Sequence, residues 1–282
     1  MKADGIPVAA VIGWPVQHSR SPLIHRHWLA RYGIAGDYVR HAVTGEDVAA
    51  FLAGLAEGPY VGCNVTVPHK EAAFAAVDSA DAVAGALGAV NTIWLDQGRR
   101  IGGNTDAFGF LANLDQRAPG FAEGGGSALV LGAGGAARAV LYALKSRGFD
   151  PIHVVNRSRA RAEALAERFG SPLAVASWSD LPLLLAEARL LVNTTSLGMA
   201  GEPPLAIDLR PAREDLLVTD IVYIPLETPL LAAARARGLR VVDGLGMLLH
   251  QAAPGFERWF GIRPVVTPEL RQLVLADMGV SV

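Results

Sequence analysis

Cysteine is almost missing from this chain: Cys63 is its one copy in 282 residues. That excludes an intrachain disulfide and any metal site built on cysteines, and a lone thiol reads as a small core residue in a reducing cytoplasm. Charge is scarce too, at 18% against roughly 25% in an average globular protein. The net charge is −2 and no basic run exceeds a few residues, so the electrostatic footprint of a nucleic-acid binder is lacking. Long apolar runs are absent. Residues 1–10 carry one lysine and lead into an apolar stretch ending at Ile12, interrupted by Gly13 and Pro15, with no signal-peptide cleavage pattern. This opening reads as a first buried strand rather than a membrane span. Heptads and short repeats are missing, and the glycine run at 124–126 is the single low-complexity feature. What is present, 51% apolar residues over this length, describes one large or two ordinary compact domains.

Lysine is also rare, with three copies against 22 arginines. One of the three, Lys70, closes the segment Asn64-Val65-Thr66-Val67-Pro68-His69-Lys70. A guanidinium keeps its proton in a protein, whereas an ammonium can give its proton up, so a titratable cation here points to proton transfer. His69 beside it points the other way if the segment is extended. His25 and His27, two apart on a helix, face different directions, so no metal site is expected.

Strands are expected at 8–12 and 60–67, and helices at 21–32, 49–56 and 70–77. Leu23, Ile24, Trp28 and Leu29 recur at helical spacing, with Pro22 in the first turn and Ser21 as its cap. Pro254 is expected to interrupt the last helical stretch. The βαβα order predicts an α/β layer of mostly parallel strands. A composition break at 117–127 then introduces a second unit: a strand at 128–131, a glycine-rich turn, a helix at 138–147 and a strand at 152–155. Further strands are expected at 190–193, 217–221 and 240–243.

The turn Gly132-Ala133-Gly134-Gly135-Ala136-Ala137 is a dinucleotide fingerprint of the form G-x-G-x-x-A, between a strand and a helix as the motif requires. Gly132 permits the tight turn, Gly134 lets the backbone approach a pyrophosphate, and the first helical amides face its charge. An NAD site places Asp or Glu at the end of the next strand to meet the ribose hydroxyls. This chain has Asn156-Arg157-Ser158-Arg159-Ala160-Arg161 instead. Three guanidiniums spaced by two suit a 2′-phosphate, so NADP(H) is expected over NAD.

With these motifs in place the whole chain resembles the shikimate dehydrogenase family. The resemblance lies in His18-Ser19-Arg20-Ser21-Pro22, Asn64 to Lys70, Gly88-Ala89-Val90-Asn91-Thr92 and Gly103-Asn104-Thr105-Asp106-Ala107-Phe108-Gly109. It continues in Asp220-Ile221-Val222-Tyr223 and in Gly244-Leu245-Gly246-Met247 followed by Gln251, while Ile224 departs from the asparagine many relatives carry. The resemblance implies NADPH-dependent reduction of 3-dehydroshikimate to shikimate, a step of aromatic biosynthesis. Lys70 and Asp106 are its proton-transfer pair, and Ser19, Ser21, Asn64, Thr66, Asn91, Tyr223 and Gln251 its substrate contacts. Ser19, Ser21 and Tyr223 are implied to hold the carboxylate. The cofactor would lie on Gly132 to Ala136, Asn156 to Arg161, Ile221, Gly244 and Met247. A substrate domain over 1–106, a Rossmann-like domain over 107–243 and a C-terminal segment, 244–282, returning to the first are expected, with a closing cleft and hinges near Asp106 and Asp243. Retention of Ser21 favours shikimate over quinate, and Lys70 with Asp106 argues against a non-catalytic NADP sensor. The expected partners are small molecules, with no nucleic acid or membrane, for a cytoplasmic monomer or homodimer.

Overall fold

The structure, a computed structural model, describes residues 5–280. The chain divides into two compact units, one comprising residues up to Thr105 and those from Leu249 on, the other Asp106–Leu248. Residues 1–4, part of the opening segment read as a strand, lie outside the described residues.

The first unit runs β1 (Val8–Gly13), α1 (Ser21–Tyr32), β2 (Asp37–Ala42), α2 (Val48–Ala53), β3 (Tyr60–Val65) and α3 (Lys70–Ala76). It continues β4 (Ser79–Ala80), α4 (Ala82–Leu87), β5 (Thr92–Asp96) and β6 (Arg99–Gly103). The strands form one sheet in the order β2-β1-β3-β5-β6-β4. β1 pairs in parallel with both β2 and β3, whereas β5 runs antiparallel to β3 and to β6. The β5–β6 hairpin and β2 escape the period-based reading, because a turn through Gln97-Gly98 carries little pattern. Both of its residues take positive φ, 49° and 79°, as a tight hairpin turn demands. β1 is buried on both faces. Alternation sends Ala9 and Val11 to a cluster with Val16, Tyr38 and Trp259, and Ala10 and Ile12 to another with Val48, Leu52, Cys63, Val65 and Ile93.

The second unit begins with α5 (Asp106–Arg117) and continues β7 (Gly126–Leu131), α6 (Gly135–Ser146), β8 (Phe149–Val155), α7 (Arg159–Phe169), β9 (Leu173–Ala176) and α8 (Leu181–Glu187). It closes with β10 (Leu190–Asn193), β11 (Leu217–Asp220), α9 (Pro229–Ala236) and β12 (Arg240–Val242). Its strands are all parallel, in the order β12-β11-β10-β7-β8-β9. The chain steps outward from β7 through β8 to β9, then returns to β10 on the other side. The order therefore reverses between β7 and β10, the place where doubly wound sheets bind ligands. Leu129, Leu131, Leu191 and Val218 from the central strands are almost fully buried with Leu185 and Leu230 from the helices, each contributing about 1.5–3 kcal/mol relative to exposure.

α10 (Leu245–Phe260) begins in the second unit and ends in the first, and α11 (Pro268–Asp277) follows it. Contrary to the sequence expectation, α10 runs through Pro254 without a break. The proline forfeits one backbone hydrogen bond. Phe256 and Trp259 in the next turn are nearly fully buried, and the Trp259 indole donates to the Ile93 carbonyl at 2.9 Å, so tertiary packing holds the turn in place. No helix of the described residues is long and apolar enough to cross a membrane.

Candidate active site

In the first unit the strand order reverses between β1 and β3, and most of the expected substrate residues come from the carboxyl ends of these two strands. Their approach is close: Gly13, closing β1, has no room for a Cβ because the Thr66 methyl fills that space. The Thr66 amide donates to the Ile12 carbonyl at 2.9 Å, extending the pairing one residue beyond β3. The chain then turns, His69 takes the N-cap position, and Lys70 opens α3 half-buried. The segment is therefore not extended at His69, as the opposite-face argument assumed. His69 is buried with its Nε2 2.7 Å from the Val43 carbonyl.

After β1, the Ser19–Ser21 turn leads into α1. The helix starts at Ser21 itself, with Arg20 at the N-cap position and no side-chain cap. Ser21 is thus not the cap that the sequence suggests. The Ser19 hydroxyl lies 3.2 Å from that of Ser21 and accepts the Ser21 amide at 3.3 Å. Arg40 of β2 donates from Nε and Nη2 to the Ser19 carbonyl at 2.9 and 2.6 Å, and Arg20 pairs with Asp277 at 2.8 Å. The turn is anchored from two directions.

Asn64, Asn91 and Gln251 meet through a buried polar chain. The Tyr38 hydroxyl donates to Asn64 Oδ1 at 2.6 Å, and Asn64 Nδ2 donates to the Asn91 carbonyl and to Thr92 Oγ1 at 3.1 and 3.0 Å. Thr92 Oγ1 donates to Asn91 Oδ1 at 2.9 Å, and that oxygen also takes the Thr105 amide at 2.9 Å. Asn91 Nδ2 donates to Thr105 Oγ1 at 3.0 Å, and Thr105 Oγ1 reaches Gln251 Oε1 at 3.4 Å. Asn104 is tied off separately, its Nδ2 donating to the Ala89 carbonyl at 2.9 Å. Tyr38 and Arg40 carry no motif signal and were missed. Thr92 and Thr105 stand inside quoted motifs, yet their spacing alone assigns them no partner.

In the second unit the glycine turn lies at the β7/β10 reversal. Gly132 has φ +110°, and a Cβ on it would lie 2.5 Å from Thr194 Oγ1. Gly134 caps α6 without a side chain, and Cβ atoms on Gly134 and Gly135 would meet nothing within 4 Å. This bare approach to a 12-residue helix start suits a pyrophosphate. Ala133 and Ala136 are half-buried around it, and Ala137 is fully buried where α6 packs on the sheet. After β8, Asn156 Nδ2 donates to the Ser158 carbonyl at 2.9 Å, shaping the turn that exposes Arg157, Ser158, Ala160 and Arg161. Arg159 is drawn aside by Glu163, 2.8 Å away at i,i+4. That pair relieves the unfavourable placement of a cation at a helix N-terminus.

Asp106 is the first residue of α5, where a carboxylate complements the helix dipole. Ile221 and Tyr223 follow β11 on a loop held by the buried Asp220, which accepts from Asn193 Nδ2 at 2.9 Å, the Val222 amide at 3.0 Å and the Thr228 hydroxyl at 2.8 Å. Burial raises the Asp220 carboxyl above its ordinary range, against the pull of those three donors. The motif contained Asp220, but its part in shaping the loop needed the fold. Gly244 packs directly on the Ile221 carbonyl, and Gly246 on the Asn113 side chain, leaving neither room for a Cβ. Asn113 Nδ2 donates to the Asp243 carbonyl at 2.7 Å, steadying the turn that leads to Met247. The described residues contain no group of three or more metal-ligating side chains.

Residues 11–93 match the shikimate dehydrogenase substrate binding domain, 121–200 the shikimate/quinate 5-dehydrogenase family and 244–268 the shikimate 5′-dehydrogenase C-terminal domain. The NADP(+) shikimate dehydrogenase of Azorhizobium caulinodans is 58% identical over 270 residues, 96% of each chain. The chain belongs to the shikimate dehydrogenase family. Another relative of this name, from Mesorhizobium japonicum, is 57% identical over 96% of each chain. Among solved structures, the shikimate 5-dehydrogenase of Thermus thermophilus in complex with NADP(H) and shikimate aligns at a TM-score of 0.86. It is 38% identical, over 97% of this chain and 100% of its own. Quinate dehydrogenase of Corynebacterium glutamicum in complex with NAD aligns at 0.88 with 32% identity, over 97% and 100%. The two-sheet α/β architecture of this shikimate dehydrogenase family member is therefore that of its relatives.

Proposed function

We propose that this chain is an NADP-dependent shikimate dehydrogenase, reducing 3-dehydroshikimate to shikimate reversibly in the route to the aromatic amino acids. The observation that carries the reading is the uncharged hydrogen-bonding set of the first unit. Asn64, Asn91 and Gln251 are joined through one polar network, and Ser19 and Ser21 are bonded to each other in the turn after β1. Such a set suits a polyhydroxylated ring. Ser19, Ser21 and Tyr223 hold the carboxylate, while Asn64, Thr66, Asn91 and Gln251 hold hydroxyls.

For the cofactor, Gly132 to Ala136 take the pyrophosphate, and Ile221, Gly244 and Met247 line the nicotinamide side. Arg157 and Arg161, exposed after β8 with Asn156, Ser158 and Ala160, bind the 2′-phosphate. Arg159, paired with Glu163, is a lesser contributor. When bound, NADPH supplies the hydride. Lys70 delivers the proton to the oxygen of the carbonyl being reduced, and in the oxidative direction accepts the hydroxyl proton. Asp106 is its partner in that proton transfer. The catalytic domain corresponds to the unit up to Thr105 and from Leu249 on, and the cofactor domain to Asp106–Leu248. A cytoplasmic location, as a monomer or homodimer, belongs to the same proposal.

Crossing shikimate and quinate with NADP and NAD, with nicotinamide absorbance as the readout, tests the reading. Strong oxidation of shikimate with NADP alone is expected. A preference for quinate would replace the proposed substrate, and no activity from folded protein on any pair would overturn the enzymatic reading.

A further inference from the structure

Asn64 sits in a setting that leaves its side-chain amide one orientation. Its Nδ2 faces the Asn91 carbonyl at 3.1 Å, a group that only accepts, so the nitrogen must lie on that side. Its other hydrogen goes to Thr92 Oγ1, whose own proton is given to Asn91 Oδ1. Oδ1 is thereby turned toward Tyr38, which donates to it at 2.6 Å. The phenol is itself immobile: it is fully buried and lies flat on the His25 ring, with centroids 4.0 Å apart and planes within 1°. Trp259 packs against both rings. Burial raises the Tyr38 pKa well above its ordinary value, so the hydroxyl stays a donor.

We propose that Tyr38 is a positioning residue that fixes the Asn64 side-chain oxygen, whose amide hydrogens are engaged by the Asn91 carbonyl and Thr92, as a hydrogen-bond acceptor toward one substrate hydroxyl. The proposal rests on the reading of Asn64 as a substrate contact. With both amide hydrogens and one lone pair of Oδ1 engaged, the second lone pair is what Asn64 offers a ligand. A hydroxyl can donate to it; a ketone, an ether oxygen or a bare methylene cannot. The contact therefore belongs to a ring hydroxyl that the reaction leaves unchanged, since an acceptor aimed at the reacting oxygen would bind alcohol and resist ketone. Asn64 becomes a check on the substrate's hydroxylation pattern, and Tyr38, which has no contact with the reacting atoms in this scheme, sets it.

The test is a cycle in the full-length enzyme between Tyr38→Phe and the mono-deoxy analogues of shikimate that keep the reacting hydroxyl, with saturating NADP. Tyr38→Phe should raise KM for shikimate roughly five- to tenfold, keep kcat within about twofold and leave KM for NADP unchanged. Removing one particular hydroxyl should cost the wild type about as much, and cost the variant little more, while the other deletions cost both proteins equally. Asn64→Ala, which removes the acceptor and leaves Tyr38 in place, should make deletion of that same hydroxyl cost nothing further while the other deletions still cost what they cost the wild type, and decides the matter if Tyr38→Phe misfolds. An unchanged KM in folded variants, or equal losses in variant and wild type for every analogue, would overturn the proposal. A wild type inactive on shikimate would instead remove the functional reading, and this one with it.

Discussion

Gly132 and Thr194 occupy the same few ångströms where the sheet order reverses: a Cβ on Gly132 would lie 2.5 Å from the Thr194 hydroxyl oxygen, which itself donates to the Leu131 carbonyl at 2.7 Å. The neighbour cannot retreat without losing a buried hydrogen bond, and φ +110° at Gly132 is strained for any side chain. Gly132→Ala is therefore expected to destabilise the protein by about 1–3 kcal/mol and weaken NADP binding. Denaturant unfolding and cofactor titration check this; wild-type values in both would show that the turn adapts.

The cation at position 70 carries the proposed chemistry. Lys70→Ala should lower kcat about 10²- to 10⁴-fold, the range expected for loss of a general acid, while NADPH affinity stays near wild type. Near-normal turnover would remove Lys70 from the mechanism.

Arg157 and Arg161 are exposed at the start of α7, whereas Arg159 is held by Glu163. Replacing Arg157 and Arg161 together by Ala should weaken NADPH at least about tenfold and NADH less than about twofold, since only the former has a 2′-phosphate to lose. Equal losses for the two cofactors would refute the phosphate clamp, and Arg159→Ala should fall far short of the double substitution.

His25 is fully buried among aromatic rings, and neither ring nitrogen has a hydrogen-bond partner. Burial lowers its pKa from 6.5 to about 3. Between those values the unfolded chain binds a proton that the folded chain refuses, so stability falls as pH drops through the window. The slope is about 1.4 kcal/mol per pH unit at most for this one group. His25→Phe should flatten the acid side of the stability curve relative to wild type. Parallel curves from neutral pH to pH 4 would show that His25 takes up its proton without unfolding.

The sequence by itself determined the chemistry that could be present. Local periodicity and turn residues predict β1, α1, β7, β10 and the glycine turn, because each depends on neighbours within a few positions. The motifs around Lys70, Asp106 and Gly132 also named the family. Only the tertiary structure decided what supports those residues. Tyr38 meets Asn64 across 26 positions and Thr105 meets Gln251 across 146, pairings made by strand order and by α10 spanning both units. The same distance effect carried α10 through Pro254, whose next turn is held by Trp259 on Ile93. It also denied Ser21 its cap role and bent the chain at His69. In each case the deciding partner lies far along the chain, and local propensity, worth at most about a kilocalorie per residue outside proline, yields to a buried hydrogen bond or a packed aromatic ring.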